Sequence, residues 1–204
     1  NSYFTEIVRG VQDEASLSHY LPLLLDTAED PHREAECLRI LIGQSVSGII
    51  ACGSRPPLDD LTTIRRHMDT PMVVINHCVD LPNVGCIMVD LETGVYRATR
   101  HLLDLNHTRI AFLPGPAASE TSQRRRRGLE AALVEVGLAL KPEWCPASFP
   151  DVDGGFQAMS AILAMPPAQR PTAVITHNDL MALGVLHAIR THHLRVPEDI
   201  SVIG

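Results

Sequence analysis

The sequence predicts an α/β architecture built on parallel sheet. Two observations point to it along the 204-residue chain. Short apolar runs of strand length alternate with longer stretches whose apolar residues recur at helical spacing. The handovers between them carry Asp, Asn, Pro and Gly, which end strands and start helices. Alternation of this kind is the signature of repeated β–α units.

The elements follow in order. Residues 3–20 carry Phe4, Ile7, Val8, Val11 and Ala15 on one helical stripe. Residues 21–25, Leu-Pro-Leu-Leu-Leu, suit a short strand buried on both faces. Asp30-Pro31 reads as an N-cap followed by proline at the first helical position, and the helix continues through Ala35, Leu38, Leu41 and Ile42. Strands are expected over 47–52, 72–76 and 85–89, with a helix over 58–68. A helix over 92–105 ends at Asn106, a residue type that tolerates the left-handed conformation. A strand over 109–113 closes on Pro114-Gly115-Pro116. Helices over 123–136, 154–165 and 179–190, with strands over 172–176 and 200–203, complete the alternation.

Composition narrows the function classes. The chain is 45% hydrophobic and 20% charged, as ordinary globular domains are. Its net charge of −7 gives no electrostatic footprint for nucleic acid or an anionic membrane. No apolar run approaches the roughly 20 residues that span a bilayer. The five cysteines show no framework spacing and read as free thiols in a reducing cytoplasm. No Gly-x-x-x-x-Gly-Lys loop is present, and Lys141 is the only lysine, which argues against a Walker-type NTPase. A Gly-x-Ser-x-Gly elbow is also absent. The histidines and cysteines never take Cys-x-x-Cys or His-Glu-x-x-His spacing, so neither a metal nor another cofactor is expected. His192-His193 at a helix end matches the helix dipole instead.

Five stretches carry a family resemblance. The first is Phe4-Thr5-Glu6-Ile7-Val8-Arg9-Gly10-Val11, and the second Val46-Ser47-Gly48-Ile49-Ile50. The third is Val89-Asp90 with Gly94 and Ala98-Thr99-Arg100-His101-Leu102-Leu103. The fourth is Arg109-Ile110-Ala111-Phe112 with Gly115-Pro116 and Arg125 three residues before Gly128. The last and most specific runs through Pro171-Thr172-Ala173-Val174, Asn178-Asp179-Leu180-Met181-Ala182-Leu183-Gly184 and Arg195-Val196-Pro197-Glu198-Asp199-Ile200-Ser201-Val202-Ile203-Gly204. In this order they resemble the effector-binding domain of LacI/GalR-type bacterial transcription regulators.

That resemblance implies two doubly wound parallel-sheet lobes of the periplasmic-binding-protein-like type I fold, spanning 1–89 and 90–204. A small polar effector such as a sugar or nucleoside would bind in the cleft at the carboxyl ends of the strands. The protein would be a homodimeric, cytoplasmic repressor, with no membrane contact and no enzymatic activity. Its first strand, its last segments and its helix-turn-helix headpiece would lie outside this chain, so operator DNA is a partner only through that headpiece. A periplasmic sugar-binding protein of a transporter is the alternative. It typically brings a signal peptide and many lysines, whereas lysine is nearly absent here and residues 195–204 read as regulator.

Candidate ligand contacts follow from the same resemblance. Arg125 matches the family's cleft arginine. Successive helical side chains turn by about 100°, so the neighbouring Arg124, Arg126 and Arg127 cannot share its face and read as a solvated basic helix start. Asn178 and Asp179 stand where a strand hands over to a helix, serving as cap and first-turn acid while facing the cleft. Asp90 has the same double reading at the lobe crossover. Tyr3 and Phe4 precede the first helical stripe and supply aromatic contact, although Phe4 could simply be buried by that stripe. Phe149 either stacks on ligand or plugs the core, and Thr121 is an additional contact. Asn76-His77 stands where the family commonly has Asp-Arg, a departure that marks a different effector. On the helix over 179–190, Met181, Ala182, Val185, Leu186 and Ile189 should face the sheet. Leu180, Leu183 and His187 form a second line that suits the contact between two copies of the chain.

Overall fold

Six strands of three or four residues form two parallel three-stranded sheets in the computed structural model, which describes residues 2–27, 30–53, 70–78, 80–117 and 119–204. The chain divides into two units, Asn1–Val89 and Asp90–Gly204, each with its own sheet. The helix expected over 58–68 lies outside the described residues.

In the first unit, α1 (Ser2–Leu17) and α2 (Pro31–Gly43) precede β1 (Ile49–Cys52), β2 (Met72–Ile75) and β3 (Val84–Ile87). The strands lie in chain order, with Ile49 opposite Met72 and Met72 opposite Val84. Asp30 caps α2 as its sequence predicts. Its carboxylate accepts the His32 amide at 2.8 Å, which together with the Arg33 amide holds its pKa below the ordinary carboxylate value. Ala35 and Leu38 of α2 pack on Ile49, Ala51, Met72 and Val74, an alternating set from one face of the sheet.

The run 21–25 corrects the sequence reading. It forms no strand, and Leu21 is 96% exposed. A ladder needs a facing strand edge, and among the described residues no strand takes this run as a partner. Pro22 also removes one of the donors such a ladder would use. Apolar composition therefore did not suffice to make a strand here.

The second unit is wound on both faces. Its elements are α3 (Leu91–Asp104), β4 (Ile110–Leu113), α4 (Glu120–Val134), α5 (Val152–Leu163), β5 (Ala173–Thr176), α6 (Asp179–Thr191) and β6 (Ser201–Ile203). Ile110 and Phe112 of β4, with Ala173 and Ile175 of β5, pack against Leu102 of α3 and Leu129 and Leu133 of α4. Ala111, Leu113 and Val174 point the other way, onto Met159 and Ile162 of α5 and Met181, Val185 and Ile189 of α6. The two-residue period of a strand thus divides one apolar run between two helix layers. Leu186, expected on the buried stripe of α6, is only half-buried, and Ala188 takes the buried position.

The amino ends of this sheet are joined by one histidine. His107 Nδ1 lies 2.9 Å from Thr172 Oγ1, and its Nε2 lies 3.2 Å from Ser201 Oγ. Burial holds its pKa below the ordinary histidine value, which favours the neutral ring between the two hydroxyls. Asn106 beside it takes φ +67°, the left-handed turn expected after α3.

Helix pairs in this unit approach through glycines. A Cβ placed on Gly184 of α6 would collide with the Val152 carbonyl and lie 2.7 Å from the Phe156 nitrogen. One on Gly155 of α5 would collide with the Met181 carbonyl, and one on Gly128 of α4 with the Glu92 carbonyl. These are backbone atoms, which cannot swing aside as a flexible side chain can. Gly184→Ala is therefore expected to destabilise the unit by about 1–3 kcal/mol or more through overpacking. Urea unfolding followed by the fluorescence of Trp144, which is buried in this core, measures the loss. An unchanged midpoint would show that α5 and α6 separate without cost.

Candidate functional site

In the first unit, polar and aromatic groups gather where strands end. Tyr3 and Phe4 lie in the first turn of α1, slightly later in structure than the sequence placed them. Their rings meet edge to face at 5.2 Å. Asn76, the first residue after β2, adopts φ +64° and donates from Nδ2 to Tyr3 Oη at 2.8 Å. Its Oδ1 accepts the Val89 amide at 3.2 Å. Gly53, the first residue after β1, has φ +64°, and a Cβ there would lie 3.7 Å from Phe4 Cζ. The pair Tyr3–Phe4 is thereby held at the carboxyl ends of β1 and β2. The tie through Asn76 escaped the sequence reading, which registered Asn76-His77 only as a departure.

The same loop overturns the expectation of five free thiols. Cys78 and Cys86 form a disulfide with their Cα atoms 5.5 Å apart. The turn after β2 doubles back to β3, where Cys86 stands beside Val74 in the ladder, and this register brings the sulfurs together. Eight residues of separation gave no sign of it. Cys37, Cys52 and Cys145 are free, and burial pushes the Cys52 and Cys145 thiols up.

In the second unit, Asp90 caps α3 and accepts the Thr93 amide at 3.1 Å. The Thr93 hydrogen bonds, aided by the charges of Arg97 and Arg124, hold its carboxyl below the ordinary value. Ser119 precedes α4, and its hydroxyl meets the Thr121 hydroxyl at 2.8 Å. Arg125 donates back to the Thr121 carbonyl at 3.3 Å and is half-buried. Its neighbours turn elsewhere, as helical rotation requires. Arg124 pairs with Glu120 at 3.1 Å, Arg126 with Glu130 at 2.7 Å and Arg127 with Glu92 at 3.0 Å. The basic run is thus largely neutralised within the unit.

Phe149 is 71% exposed, so it does not plug the core. Its backbone is pinned on both sides. Ser148 Oγ donates to the Pro114 carbonyl just past β4 at 3.1 Å, and Asn178 Nδ2 donates to the Pro150 carbonyl at 2.9 Å. Asp151 then caps α5 by accepting the Gly154 amide at 2.7 Å. An exposed aromatic ring on a fixed loop offers contact area with little ordering left to do.

Asn178 is the N-cap of α6 and accepts the Met181 amide at 2.9 Å. Its side chain therefore serves the cap and the Phe149 loop together. Asp179 is exposed, with its carboxylate against Gly204, where a Cβ would collide with Oδ1. On the outer side of α6, Leu183 is 55% exposed, His187 is exposed with its ring 5.0 Å from that of Phe156, and Leu180 is half-buried. Among the described residues, no group of three or more His, Cys, Asp or Glu could hold a metal ion. No helix among them is long and apolar enough to cross a membrane.

The double duty of Asn178 is testable. Asn178→Ala should lower stability by about 0.5–2 kcal/mol, the usual cost of a lost N-cap. It should also speed proteolysis near Phe149, because the Pro150 tether goes with it. Cap loss without added cleavage near Phe149 would show that the loop is held by other means.

Comparison with known proteins bears on this arrangement. The family described as periplasmic binding proteins and sugar binding domain of LacI family matches residues 1–204. The HTH-type transcriptional repressor PurR of Aliivibrio fischeri is 34% identical over 204 residues, all of this chain and 60% of that repressor. The HTH-type transcriptional repressor CytR of Escherichia coli is 32% identical over 202 residues, 99% of this chain and 58% of its own length. The chain thus spans about three fifths of these curated relatives. A solved putative ribose operon repressor from Burkholderia thailandensis superposes with a TM-score of 0.84 at 30% identity, covering 99% of this chain and 74% of that one. The expected doubly wound α/β architecture is borne out by this likeness.

Proposed function

Because the chain belongs to the family of periplasmic binding proteins and LacI-type sugar-binding domains, we propose that it is the effector-sensing part of a bacterial transcriptional repressor. It binds a small polar effector, a sugar or a nucleoside, and passes that binding to operator DNA through a helix-turn-helix headpiece. Acting on operator DNA places it in the cytoplasm. The curated relatives are repressors, which favours this reading over a transport protein and over an enzyme.

The observation that carries the reading is the pinned, exposed Phe149 beside the polar strand ends of the second unit. Aromatic faces take the C–H side of a sugar or the plane of a base, while Arg125, Thr121, Asp90 and Asp179 supply donors and acceptors for hydroxyls. Asn178 contributes with whatever hydrogen-bonding capacity its cap leaves. Tyr3 and Phe4, taken by themselves, offer an aromatic surface at the strand ends of the first unit.

A ligand held at 100 times its Kd stabilises the native state by about 2.7 kcal/mol. A thermal-shift panel of ribose, glucose, sucrose, adenosine and cytidine should therefore contain a stabilising compound. Arg125→Ala should abolish the shift while leaving the unliganded midpoint in place. Unchanged affinity in that variant removes Arg125 from the site, and a panel without any stabilising member contradicts the reading.

The exposed line on α6 serves a homodimer in this proposal. Two-fold pairing gives two headpieces the spacing of a two-fold operator. Leu183→Asp would set a charge at a contact that each copy makes with its mate. Sedimentation of the full-length variant should show monomers with helical content preserved. A variant that stays dimeric moves the interface away from α6.

A further inference from the structure

We propose that Cys78 and Cys86 are a reversible dithiol–disulfide modification site whose partner reagent is a low-molecular-weight disulfide of the glutathione class. The proposal goes beyond effector sensing, and only its reducing compartment rests on the repressor reading.

Three observations carry it. The Cα atoms stand 5.5 Å apart, at the usual separation for a bridge, so the backbone need not move for the bond to form or break. Cys78 is exposed and Cys86 half-buried, which gives a reagent access to one sulfur and leaves the other to resolve the intermediate. The reduced state also has its place, because Cys86 Sγ lies 3.7 Å from the His77 carbonyl, where a thiol proton would donate. The other three cysteines are not paired.

The exchange balances. The Cys78 thiolate attacks one sulfur of the small disulfide and displaces the first thiolate, leaving a mixed disulfide on Cys78. The Cys86 thiolate then attacks the Cys78 sulfur, forms the protein disulfide and expels the second thiolate. Two protein thiols are oxidised, one small disulfide is reduced to two thiols, and the two protons end on those thiols. In a reducing compartment such bonds are transient and regulatory more often than structural.

The bridge has a structural consequence. Cys78 follows Asn76 by two residues, and Asn76 holds both Tyr3 Oη and the Val89 amide. Closing the bond ties this segment to β3, while opening it releases one end. The oxidised form should therefore hold Asn76 more firmly on Tyr3 and Val89.

The test equilibrates the full-length protein with glutathione and glutathione disulfide across a range of ratios, then traps thiols by alkylation and maps them by mass spectrometry. Cys78 and Cys86 should both be labelled at the reducing end and both be protected at the oxidising end, reversibly. Cys37, Cys52 and Cys145 should stay reduced throughout. Cys86→Ser should accumulate glutathione on Cys78. Amide hydrogen exchange at Val89 should slow several-fold on oxidation. A pair labelled at every ratio overturns the proposal. So does a pair protected even at the reducing end, which is instead a permanent cross-link suited to an oxidising compartment. Equal exchange at Val89 in both states overturns the restraint on Asn76.

Discussion

Parallel pairing sends every strand of a sheet in one direction, so all carboxyl ends lie on one edge, and the residue after each strand must satisfy two demands. It has to end the strand and start the next segment with its backbone groups paired. It also stands where small molecules meet such sheets. Gly53 and Asn76 do this in the first unit, both at positive φ. In the second unit Gly115 and Asn178 stand two residues past β4 and β5, and Asn178 caps α6 and holds the Phe149 loop with one side chain. In the proposed function, stability and recognition therefore meet at the same edge of each sheet. Substitutions at this edge are expected to affect both properties together.

The second constraint is closeness. In the second unit β4 and β5 are fully buried, β6 is half-buried, and the strands divide their side chains between two helix layers. Gly128, Gly155 and Gly184 let backbones pack against one another within these layers. Close packing of this kind supports the strand ends, past which lie the Arg125–Thr121 contact and the pinned Phe149 loop. Because the arginine run is mostly consumed in ion pairs, its contribution to stability is small, since exposed pairs are worth about 0–1 kcal/mol. Its effect is to orient neighbours while Arg125 turns back to Thr121.

Much of this was legible from local chemistry. Caps at Asp30, Asp90 and Asn178, the left-handed Asn106 and the alternation of strands and helices all act within a few residues. A reader of the sequence can see both partners at once. The features that escaped the reading depend on distant neighbours. Leu21 to Leu25 has strand composition, but composition cannot supply a facing edge. The Asn76–Tyr3 hydrogen bond joins residues 73 positions apart. The Cys78–Cys86 bond depends on the register of β3 against β2, which no spacing rule encodes. Phe149 could have been core or surface by its chemistry alone, and its exposure is decided by the pins at Ser148 and Pro150.

In the proposed repressor, an effector held at these strand ends controls a distant DNA contact. Coupling between two sites is reciprocal, so operator DNA must change effector affinity by the same factor that effector changes operator affinity. The most direct measurement titrates the full-length protein with its stabilising sugar or nucleoside, with and without saturating operator DNA. The two affinities should differ by roughly 5–150-fold, the range for a coupling of about 1–3 kcal/mol. Equal affinities in the two titrations would contradict it.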